Sequence, residues 1–121
     1  MKVNVRNVND VRVVDFEGRL ALGDNELVLS QTVDELLAEG CRKILLNLTQ
    51  IEYIDSSGLG ELVQSFKVAK SLDADLKLLR PQERVRHTLQ LSMLLPLFEI
   101  YDTEEEALAS FNSNGADSAH S

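Results

Sequence analysis

Cysteine, histidine and positive charge are all scarce in this chain of 121 residues. The one cysteine, Cys41, leaves no internal disulfide to form. It follows a predicted helix end among apolar neighbours and reads as a small buried filler. Of the two histidines, His87 falls on a predicted third helix, where a plain surface or helix-face role is expected, and His120 lies in the tail, so no metal site is expected. Twelve Lys and Arg against twenty Asp and Glu give a net charge of −8. Nucleic acid and anionic membrane both demand clustered bases, and neither is an expected partner. A partner with a basic face would suit this charge, and so would solubility alone. Long apolar runs are missing as well. Nothing could span a bilayer, and the N-terminal MKVNVRNVND has no signal-peptide core, so a cytoplasmic protein is expected.

Catalytic patterns are absent too. No G-x-S-x-G elbow surrounds Ser56 or Ser57, and no histidine lies near in sequence to act as base. The phosphate-loop pattern G-x-x-x-x-G-K-S/T and the Rossmann glycine pattern are both missing. Glu104, Glu105 and Glu106 read as first-turn residues that complement a helix dipole, not as a paired-carboxylate site. An enzyme is not expected, and no intrinsic cofactor is implied.

What the chain does contain is a periodic alternation of elements, sized for a single domain with one proper core. Val3 and Val5 alternate as in a strand, Asn9-Asp10 suits a tight turn, and Val11–Phe16 reads as the hairpin partner. Glu17–Leu20 leads out of it, and Gly23-Asp24-Asn25 supplies a turn with a helix cap. Leu29, Val33, Leu36 and Leu37 then form one helical face, closed by Gly40. Arg42–Leu48 is apolar on both faces, as a covered central strand would be. A second helix runs to about Leu72, broken by Asp73-Ala74-Asp75, and Leu76–Leu79 is a short strand. Pro81 fits the first turn of a third helix with Val85 and Leu89 inward. Pro96 should stop that helix, Phe98–Tyr101 is a last short strand, and Thr103–Glu106 is a capping box for a final helix with Ala107, Leu108 and Phe111 inward. Residues 112–121 lack apolar content and are expected to form a disordered tail. The order β-β-α-β-α-β-α-β-α predicts a single layered α/β domain over 1–111, with a mixed sheet of about four to five strands and about four helices.

The stretch Ile51–Gly60, IEYIDSSGLG, is the centre of the reading. An apolar strand ends in Asp55, Ser56 and Ser57, and helical spacing takes over at Leu59, Leu62, Val63 and Phe66. Asp and Ser are good N-caps. A helix N-terminus also tolerates an added anion such as phosphate, and Gly58 and Gly60 let another protein approach closely. Capping alone fits these residues, and so does an exposed, modifiable serine on a rigid support. Two consecutive hydroxyls between an acid and a glycine exceed what capping needs.

The segment Ile44–Gly60, ILLNLTQIEYIDSSGLG, resembles the signature of the STAS-domain anti-sigma factor antagonists. There a hydrophobic strand ending in N-L is followed by a spacer and I/M-D-S-S/T-G-L-G. Gly18-Arg19-Leu20, Leu76-Lys77-Leu78-Leu79 and Phe98–Asp102 extend the likeness, which runs from Val3 to Phe111. The resemblance implies that an anti-sigma factor serine kinase phosphorylates Ser56, that the unphosphorylated chain binds this kinase and frees a sigma factor, and that a PP2C-type phosphatase restores it. ATP and Mg²⁺ would belong to the kinase. Asp55 would orient Ser56, and Ser57, Gly58, Leu59 and Gly60 would form contact surface. Many members carry an aspartate after the G-x-L element; here Ala21 stands there, with Asp24 three residues on, either as a substitute contact or, the preferred reading, as a helix cap. The segment Ser92–Leu97, SMLLPL, could pack the sheet edge, mark a second contact or support a weak homodimer; core packing is expected. Two other functions stay open on sequence grounds. One is a STAS scaffold or sensor subunit of a larger assembly without the kinase switch. The other is a weak nucleotide-binding domain, against which the missing phosphate loop argues.

Overall fold

The computed structural model describes residues 1–21, 23 and 27–111. Asp24, Asn25 and the segment 112–121 lie outside them, and with them the expected Asp24 contact or cap and the expected tail.

Eight elements and a last helix follow the expected order, with a 3-10 turn added before the last strand. β1 (Lys2–Val8) and β2 (Val11–Leu20) form an antiparallel hairpin. Its turn residues Asn9 and Asp10 both adopt left-handed backbone, φ 50° and 62°, which suits the twist of a two-residue hairpin. After α1 (Val28–Ala38), β3 (Lys43–Ile54) pairs with β2 in parallel. α2 (Ser56–Ser71) returns the chain to β4 (Asp75–Leu79), parallel to β3. α3 (Glu83–Leu91) and a single 3-10 turn (Leu95–Leu97) lead to β5 (Ile100–Tyr101), again parallel. A fourth helix, α4, begins at residue 104 and runs to 111 among the described residues. The sheet order is β1-β2-β3-β4-β5, a mixed sheet with neighbours in sequence as neighbours in space.

Alternation along the strands divides the core in two. Val14, Ile44, Leu46 and Leu78 meet Leu29, Val33, Leu62 and Leu89 of α1, α2 and α3. Val13, Leu45 and Leu79 face the other way, onto Ala107 and Phe111 of α4. β3 is thus covered on both faces, as its apolar run implies. Cys41 is half-buried against the larger core rather than fully enclosed.

α1, α2 and α3 close with the same hydrogen-bond pair. Cys41 N–H donates to Leu36 O and Gly40 N–H to Leu37 O; Ala74 and Asp73 repeat this on Ala69 and Lys70, and Leu94 and Met93 on Leu89 and Gln90. This is the Schellman motif, whose left-handed residue is Gly40, Asp73 or Met93 in turn. Gly40 was expected in that place; the methionine was not.

Several expectations need correction. α1 begins at Val28, and its N-cap position is held by Leu27, which makes no side-chain cap hydrogen bond. Pro81 precedes α3 rather than opening it, because Arg80 (φ 42°) must first turn the chain out of β4 and Gln82 is the N-cap. Pro96 does not stop α3, which has already ended at Leu91. The SMLLPL segment divides: Leu94 and Leu95 pack against the core, but Met93 is 86% exposed and Leu97 38%. Core packing therefore holds only for its middle, since the left-handed turn at Met93 throws that side chain outward.

An ion cluster ties α4 to the hairpin. Arg6 binds Asp15 through Nε and Nη2 at 2.7 and 3.0 Å, and Glu104 through Nη2 at 2.7 Å. Asn47 Nδ2 donates to Asp15 Oδ1 at 2.7 Å. The Arg6 hydrogen bonds, helped by Asn47, outweigh partial burial and hold the Asp15 carboxyl below its ordinary value, while Asp15 and Glu104 raise Arg6. A depressed carboxyl stabilises the fold above its unfolded-state pKa, about 4. That contribution is lost as pH falls through the folded value. Wild type is therefore expected to resist denaturant better than Asp15→Asn near neutrality and to lose that margin below pH about 4, read from paired urea titrations.

On the same face Lys77 is fully buried. Its Nζ donates to Ser110 Oγ at 2.9 Å and lies 4.6 Å from the centre of the Phe111 ring. Hydrogen bonding and the ring face replace water around that ammonium, a role that the short L-K-L-L run did not reveal.

Candidate functional site

The parallel strands β2 and β3 end at one edge of the sheet, and the helices that follow them both begin there. Three things fix the junction. Asp55 leaves β3 in extended backbone and caps α2, its Oδ1 accepting from Gly58 N–H at 2.9 Å. The Asp55 N–H donates to Leu20 O at the end of β2, at 3.2 Å. Gly58 then packs against that same carbonyl: a Cβ built on it would fall 1.9 Å from Leu20 O. Only a glycine lets the first turn of α2 come this close to β2.

Ser56 and Ser57 are consequently the first two residues of α2, both exposed. Their backbone N–H groups belong to the set that a helix start leaves without intrahelical partners. With the positive end of the helix dipole, this is an environment that stabilises a phosphate on either hydroxyl. Asp55 holds the helix start in place through Gly58 and so sets where Ser56 stands.

The expected contact residues separate into two groups. Ser56, Ser57 and Gly60 lie on the open surface, and a Cβ on Gly60 would meet nothing within 4 Å. Gly58 is buried against Leu20, and Leu59 is 8% exposed and belongs to the core. Those two shape the surface from beneath and do not present side chains on it. Helical geometry explains the split, since Leu59 shares the inward face with Leu62.

Residues that the motif did not mark also gather here. Glu61 Oε2, on α2, accepts from Ser30 N–H at 2.8 Å and so caps α1 across the gap between the helices. The guanidinium of Arg19 lies 5.1 Å from the centre of the Tyr53 ring. Arg19 and Tyr53 are register partners beside the junction. Leu27, before the first residue of α1, is 57% exposed. No local pattern announces these neighbours, because each depends on which strand or helix lies alongside.

Among the described residues no group of three or more His, Cys, Asp or Glu could hold a metal ion, and no helix is long and apolar enough to cross a membrane.

Comparison with known proteins agrees with this architecture. The family model described as the STAS domain matches residues 2–107. A candidate anti-sigma factor antagonist of Thermotoga neapolitana is 37% identical over 101 residues, covering 84% of this chain and 89% of its own. The anti-sigma F factor antagonist of Paenibacillus polymyxa is 25% identical over 108 residues, 89% of this chain and 92% of its own. The crystal structure of a candidate anti-sigma factor antagonist from Thermotoga maritima superposes with a TM-score of 0.82 at 32% identity, over 89% of this chain and 92% of that one.

Proposed function

This chain belongs to the STAS domain family, and on that footing we propose that it is an anti-sigma factor antagonist switched by phosphorylation of Ser56. Unphosphorylated, it binds an anti-sigma factor that is also a serine kinase and so releases a sigma factor. Phosphorylated, it lets go, and a PP2C-type phosphatase returns it to the binding form. It works by binding, and the phosphoryl chemistry is the kinase's. The domain responsible spans 1–111.

The observation that carries this reading is the placement of Ser56. It is the first residue of α2, exposed, and set on a helix start that Asp55 and Gly58 anchor to two strands. Phosphate adds a charge of about −1.5 to −2 there. The helix start accommodates that charge in the free protein. A partner closed around a neutral hydroxyl must instead bury the charge or open, and that difference in binding is what a switch requires.

The test is phosphosite mapping by mass spectrometry on the protein isolated from its own cells. Phosphate on Ser56 in part of the population is the expected result. Its absence through growth, starvation and stress would sink the switch and leave a STAS domain that binds without it.

A further inference from the structure

We infer that Leu27 is an apolar anchor for the same partner that reads Ser56, so that docking joins a hydroxyl-sensing contact on α2 to a leucine contact on α1. This rests on the reading of Ser56 given above.

Leu27 is 57% exposed, so its side chain gains little from burial. Its backbone is left-handed, φ 65° and ψ 11°, a region that disfavours a leucine and suits glycine or asparagine. It holds the N-cap position of α1 without a side-chain oxygen to cap with. The first turn is served instead from outside, by Glu61 on Ser30 N–H. Burial, backbone and capping would each accept, or prefer, a different residue.

Its position supplies the reason. Glu61 lies in the second turn of α2, on the helix that Ser56 begins, and its bond to Ser30 fastens the start of α1 to that helix. Leu27 O accepts from Gln31 N–H at 2.8 Å and from Ser30 Oγ at 3.2 Å, which fixes the residue on the same rigid turn. The start of α1, and with it the exposed Leu27, is thereby held beside α2, whose first turn carries Ser56 and Ser57. Met93 is similarly strained and exposed. It belongs to the C-terminus of α3, away from that junction. The occupant is accordingly a protein with an apolar pocket beside the site that encloses the Ser56 hydroxyl.

The experiment measures binding of the purified anti-sigma factor kinase from the same cells to wild type, Ser56→Asp, Leu27→Gly and Leu27→Met, with thermal melting of each free chain. Leu27→Gly is expected to bind about tenfold more weakly or worse while melting no lower than wild type, since glycine accepts the left-handed backbone. Leu27→Met, which keeps an apolar side chain, is expected to retain most of the affinity. Binding of Leu27→Gly equal to wild type, with Ser56→Asp impaired, would overturn the anchor and leave the switch standing. A clear loss of melting temperature in Leu27→Gly would show that the leucine serves the fold, and would overturn it too. If wild type and Ser56→Asp bind alike, the reading of Ser56 falls, whatever Leu27 does.

Discussion

Replacing Gly58 by alanine is expected to cost this protein about 3 kcal/mol, or to prevent folding outright. Intrinsic propensity argues the reverse, because alanine is favoured over glycine within a helix by roughly 1 kcal/mol. Packing decides the sign. The new methyl would stand 1.9 Å from Leu20 O and 2.8 Å from Leu20 Cγ. The first of these is backbone, held by the hydrogen bond from Asp55 N–H, and has no rotamer by which to yield. Relief requires α2 to move off β2, which would pull Leu59 and Leu62 from the core. For a domain of about 100 residues, 3 kcal/mol corresponds to a fall in Tm of roughly 12–24 °C. Gly60→Ala is the matched control. Two residues along the same helix, its Cβ would meet open space, and the variant is expected to gain up to about 1 kcal/mol. Urea denaturation of the pair gives opposite signs if the close approach at Leu20 is real. A stabilised Gly58→Ala would refute it.

Ser56→Asp is expected to lower affinity for the anti-sigma factor kinase about a hundredfold, a change of about 2.7 kcal/mol, without loss of fold. The two halves of that statement have one cause. At the first position of α2 a carboxylate meets the positive end of the helix, which favours it by roughly 0.3–1 kcal/mol in the free protein. In the complex it must be desolvated where a hydroxyl was accepted. Ser56→Ala removes the phosphate acceptor and leaves the surface neutral, so it should bind whether or not ATP is supplied. Wild type preincubated with kinase and ATP should instead behave like Ser56→Asp. Titration calorimetry of the three proteins, with melting curves beside it, makes the comparison. Equal affinities for Ser56→Asp and Ser56→Ala would mean that charge at this point does not control binding.

Much of this was legible from the residues. Local rules were enough wherever a segment's partner is itself. Asn9-Asp10 turned the hairpin, Gly40 closed α1, Asp55 capped α2, and Thr103 accepts the Glu106 N–H at 3.1 Å as a capping box should. The alternation of periods gave the layered α/β order, and D-S-S-G at the strand–helix junction placed Ser56 on an exposed first turn. Each of these is a matter of hydrogen bonds and side-chain directions within a few residues.

The remainder depended on which elements lie beside one another. Gly58 looks like surface in a glycine-rich motif, yet the end of β2, thirty-eight positions earlier, makes it a packing glycine. The first turn of α1 takes a capping carboxylate from Glu61, which reaches across from α2 to Ser30 N–H. Lys77 reads as the polar member of a short strand until Phe111 and Ser110 of α4 enclose it. In every case the deciding atom comes from a distant part of the chain. Close packing and long-range hydrogen bonds are properties of the assembled layers, so no window along the sequence contains them.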